Sequence, residues 1–65
     1  MINEIGTTAG MIWQILDKDR EASYTELKKK VNAKGPLFDW AIGWLAREDR
    51  IFISQVKQTL RIGLK

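Results

Sequence analysis

Apolar residues recur along the chain with two different periods. Ile2, Ile5, Ala9, Ile12 and Leu16 fall three and four apart, which places them on one face of a helix. Trp13 widens that stripe and is expected to pack in the core. Gly6 and Gly10 interrupt it, and each weakens a helix by about 1 kcal/mol relative to Ala, so Thr7 or Thr8 is a candidate N-cap, with Asn3 as an earlier option. The polar stretch from Asp17 to Glu21 ends this helix.

Ser23-Tyr24-Thr25-Glu26 has the form of a capping box. The Ser23 hydroxyl would accept from the Glu26 amide, and the Glu26 carboxylate would reach back to the Ser23 amide. A short second helix follows, buried along Leu27 and Val31. Asn32-Ala33-Lys34-Gly35 then breaks the pattern. Gly35 suits a helix end and Pro36 the first turn of another. Phe38, Ala41, Ile42 and Leu45 give the clearest stripe, a third helix from about Pro36 to about Glu48, closed by Asp49-Arg50.

Beyond it the period changes to two. Ile51 and Ile53, then Leu60, Ile62 and Leu64, alternate as in paired strands. Gln55-Val56-Lys57-Gln58 is the expected hairpin loop. A third, very short strand fits at Ala22-Ser23. The fold class is α+β and mostly helical: three helices, then a C-terminal β-hairpin. The short connection at 32–35 makes helices two and three a helix–turn–helix, with the hairpin folded back as a wing.

The chain has 65 residues, enough for one domain spanning 1–65. It contains no Cys and no His, so disulfides and thiolate or imidazole ligands are absent. Stability must come from the apolar core, helped or not by self-association. The lack of Cys fits a cytoplasmic setting. MINEIGTTAGM has no basic leader segment, and no apolar run reaches the roughly 18 residues of a membrane span, so no membrane association is expected.

The net charge of +3 is unevenly spread. Residues 20–35 and residues 51–65 each carry +3, against −2 for residues 1–19 and −1 for residues 36–50. The basic segments are the second helix with its turn, and the wing.

Ala41-Ile42-Gly43-Trp44-Leu45-Ala46-Arg47-Glu48, with Gly10, Trp13 and Leu16 upstream, resembles a family of small prokaryotic winged helix–turn–helix proteins of unknown function. The resemblance covers nearly the whole chain. It implies the winged-helix fold and an expectation of nucleic-acid binding, and it brings no catalytic residues.

Two binding chemistries follow from the residues. Lys28, Lys29, Lys30, Lys34, Arg47, Lys57 and Arg61 are candidate phosphate contacts on DNA. Such contacts bind weakly, depend steeply on salt and carry no sequence information. Three lysines in a row are equally the solvated face of a short helix. The outward face of the third helix is Leu37, Asp39, Trp40, Gly43, Trp44 and Arg47, and of these only Arg47 is a good reader of base edges. Exposed indoles beside Leu37 mark a partner surface instead.

Trp40 and Trp44 are four apart and share a side of the helix, with Trp44 the better placed to cover the hairpin or the first helix. Gly43 admits close approach of another backbone, from a partner or from this domain. Gly6 and Gly10 do the same on the first helix, within the domain or across a homodimer. The first expectation is a nucleic-acid-binding module linked to transcription. The alternative is a protein-interaction module or homodimer using Leu37, Asp39, Trp40, Gly43 and Trp44. No Ser–His pairing, phosphate-binding glycine loop or calcium loop is present. An enzyme, a cofactor and a metal are therefore not expected.

Overall fold

A computed structural model describes residues 2–65, and the Ile2 side chain lies outside that description. The elements are α1 (Ile2–Asp19), β1 (Glu21–Ser23), α2 (Tyr24–Val31), α3 (Leu37–Arg47), β2 (Ile51–Val56) and β3 (Thr59–Leu64). The strands form one antiparallel sheet in the order β1-β3-β2. Ala22 pairs with Ile62, and Ile53 pairs with Ile62 from the other side. This is the α+β arrangement expected from the sequence, including the three-residue strand beside Ala22.

The core is one cluster drawn from every element. Ile12 and Leu16 of α1, Leu27 of α2, Phe38 of α3 and Ile62 of β3 are its most completely buried large side chains. Phe38, Ala41, Ile42 and Leu45 all turn inward from α3. Tyr24 meets the Phe38 ring edge-on, with centroids 5.2 Å apart.

Three local features differ from the sequence expectation. Helix α1 does not start at Thr7 or Thr8 but runs unbroken from Ile2. The Thr7 hydroxyl donates back to the Asn3 carbonyl at 2.9 Å, a bond made inside a helix. Burial of Ala9, Ile12 and Leu16 outweighs the propensity cost of the two glycines.

At the second boundary, Ser23 does accept from the Glu26 amide at 3.2 Å. Ser23 is also the last residue of β1, opposite Arg61, and the Glu26 carboxylate accepts a hydrogen bond from the Ser23 hydroxyl rather than from its amide. Helix α2 ends on Asn32 in the left-handed region, not on Gly35. Gly35, at φ +54°, serves the turn into α3.

The hairpin is longer than its apolar alternation alone suggested. Val56 and Thr59 are still paired, which leaves Lys57-Gln58 as the turn, with Lys57 at φ +58°. Ile51 and Ile62 are buried at its root. Ile53 and Leu60 share the core-facing side of the sheet but stand beyond the helices and are exposed.

Helix α3 closes with two bonds that wrap its last turn. The Arg50 amide donates to Leu45 and the Asp49 amide to Ala46, with Asp49 at φ +60°. No helix among the described residues is long and apolar enough to cross a membrane.

Candidate functional site

The outward side of α3 follows from its inward one. With Phe38, Ala41, Ile42 and Leu45 in the core, Asp39, Trp40, Gly43, Trp44 and Arg47 face solvent and Leu37 is half-buried. Trp40 keeps 43% of its surface exposed and Trp44 keeps 47%. Trp40 therefore lies on the face a helix–turn–helix would present to a major groove, with Trp44 one turn on, at the edge of that face.

Asp39 is not a free carboxylate. It accepts a short hydrogen bond from the Tyr24 hydroxyl, which ties the start of α2 to the start of α3. That bond raises the Tyr24 pKa above its usual 10.0, with burial and the Asp39 charge adding in the same direction.

The packing of α1 on α3 leaves a groove of about 510 Å³ between them. Trp13, Gly6 and Gly10 contribute from α1, and Trp44 and Leu45 from α3, with its cap residue Glu48 and Arg50 beyond it. Trp13 is thus no core residue: it is 38% exposed. It sits at the edge of the α1 stripe, and its neighbours on that edge are glycines, which have no side chain to cover it. A Cβ added at Gly6, Gly10 or Gly43 would meet nothing within 4 Å. No neighbour within the described chain occupies that space.

The cations divide into two groups. Lys30 bonds Asp19 at 2.9 Å, which raises its pKa above the usual 10.5, and Arg61 grips Glu21 through two nitrogens at 2.9 and 3.2 Å. Lys28 stands 5.7 Å from the centre of the Tyr24 ring. Lys29, Lys34, Arg47 and Lys57 make no ion pair among the described residues. Lys28 and Lys29 lie on α2, Lys34 in the turn, Arg47 at the end of α3 and Lys57 at the wing tip.

No cluster of three or more acidic, His or Cys side chains that could hold a metal occurs among the described residues. Sequence reasoning missed the groove. The signal was present in Gly6, Gly10 and Trp13 sharing one edge of α1, but whether a neighbour fills that edge depends on tertiary packing.

A winged helix-turn-helix domain family (DUF2582) matches residues 1–64. The chain belongs to this family. The uncharacterized protein MJ1608 of Methanocaldococcus jannaschii is 38% identical over 68 residues, covering 100% of this chain and 96% of that protein. The solution NMR structure of protein BT2368 from Bacteroides thetaiotaomicron matches with a TM-score of 0.82 and 32% identity, over 95% of this chain and 76% of that one. Within this winged-helix domain, Gly10, Trp13, Trp44 and Glu48, four of the residues that carry the family resemblance, meet in the α1–α3 groove.

Proposed function

We propose that the domain is a protein-interaction module on a winged-helix scaffold, with Leu37, Trp40, Gly43 and Trp44 as its contact surface and Asp39 holding that surface to α2. The observation that carries this reading is the exposure of Trp40 and Trp44 on the outward face of α3. Base reading needs Arg, Lys, Asn or Gln in the early turns of that helix. Here those turns offer two apolar side chains and a carboxylate already bonded to Tyr24. Large exposed apolar side chains grouped on one helix are characteristic of partner surfaces, and Trp is enriched at their energetic centres.

Trp40→Ala tests this. Trp40 is among the exposed side chains of α3, so the variant should fold with a stability change within about 0.5 kcal/mol, as for a surface site. Unfolding of Trp40→Ala would make Trp40 a packing residue and remove the surface.

A second reading has its own support. Lys28, Lys29, Lys34 and Lys57, with Arg47, are cations without carboxylate partners among the described residues of the helix–turn–helix and wing, and Lys30 and Arg61 lie beside them in sequence. These residues suit sequence-independent phosphate contacts on duplex DNA. A fluorescence titration with generic duplex DNA at low salt tests it. No binding at tens of micromolar protein would end it.

A further inference from the structure

We propose that the α1–α3 groove is filled by a second copy of this chain, packed about a two-fold axis. The proposal rests on the protein-contact reading above through Trp44, which both surfaces share, and names a partner for the groove.

A two-fold interface must be complementary to itself: whatever projects from the patch needs a matching recess in the same patch. This groove has both. Trp13 and Trp44 supply projecting indoles, and the Gly6–Gly10 step supplies a recess in which a Cβ would touch nothing of the chain itself. Glycine lowers helix propensity, and two of them one turn apart inside α1 serve no contact within the described residues. A partner backbone or indole approaching that step would make use of them.

The rim has matching charge. Glu48 and Arg50 both line the groove, and the side chain of neither makes an ion pair within the described chain. A two-fold axis passing between them would set Glu48 of one copy against Arg50 of the other, twice.

The test is sedimentation of the full chain from micromolar to millimolar concentration. A monomer–dimer equilibrium is expected. Gly10→Leu, which fills the recess from a position open in the monomer, should weaken it by at least about tenfold while the dilute protein keeps its helical circular dichroism. Glu48→Arg should weaken dimerisation too, and adding Arg50→Glu should restore it. If Gly10→Leu does not fold, the charge swap decides alone.

A strictly monomeric wild type, or a dimer indifferent to both changes, overturns the proposal. The wider protein-contact reading fails on a different result, the unfolding of Trp40→Ala.

Discussion

Trp13 of α1 and Trp44 of α3 line the same groove from separate helices, and each keeps more than a third of its surface in solvent. Helix α3 therefore has three distinct sides. Phe38, Ala41, Ile42 and Leu45 hold the core, Trp44 and Glu48 line the groove, and Trp40, Gly43 and Arg47 face outward. Trp44 stands where the groove meets the outward face.

The glycines should respond to substitution with opposite signs. Gly10→Ala adds a methyl where nothing lies within 4 Å. Its helix propensity gain should stabilise the dilute domain by about 1 kcal/mol. Gly63→Ala places a Cβ 2.5 Å from the Phe52 ring and 3.2 Å from the Arg20 carbonyl oxygen. The ring must leave its cross-strand seat, and a loss of about 1–3 kcal/mol is expected, as for other overpacked sites. Thermal melts of the two variants at low protein concentration check both signs.

Tyr24→Phe removes the hydroxyl that bonds Asp39 but keeps the ring against Phe38. A loss of about 1 kcal/mol at neutral pH is expected for one half-exposed hydrogen bond. The fold raises the Tyr24 pKa, so it favours the protonated phenol. That stabilisation is complete below the unfolded value near 10.0 and disappears as pH climbs through the raised folded value. The gap between wild type and Tyr24→Phe in denaturant melts should therefore be constant up to about pH 10 and narrow above it.

Arg20 sits at φ +73°, between the end of α1 and β1. A left-handed conformation costs an L-residue about 1–2 kcal/mol, which glycine partly escapes. Arg20→Gly should raise stability by a few tenths to about 1 kcal/mol, measured by denaturant midpoint at unchanged slope.

Phe38→Ala empties the centre of the core, where the ring is completely buried. A loss of about 3–5 kcal/mol is expected, enough to unfold most of a domain this size at room temperature. Circular dichroism of the purified variant checks it.

Much of the fold is legible in the sequence because strong periodicity and strong burial coincide. Phe38, Ala41, Ile42 and Leu45 repeat as a helix face and are the helix's buried residues. Ser23 and Glu26 are a local signal, and they cap the helix they announce. Trp13 reads as core because period places it beside Ile12, yet exposure depends on what α3 lays over that edge. The hairpin misleads similarly: Ile53 and Leu60 alternate correctly but lie beyond the reach of the helices. Open space next to Gly6, Gly10 and Gly43 is a tertiary fact with no sequence signature of its own.

The outward face of α3 is most directly tested by the three indole N–H resonances of the nitrogen-15-labelled domain during titration with duplex DNA at low salt. Shifts confined to amides near Lys28, Lys29, Lys34 and Lys57, with the Trp40 and Trp44 indoles unmoved, are expected of a helix that does not enter the groove. Large, sequence-dependent shifts of the Trp40 indole and the α3 amides would contradict the protein-contact surface and make that helix a DNA reader.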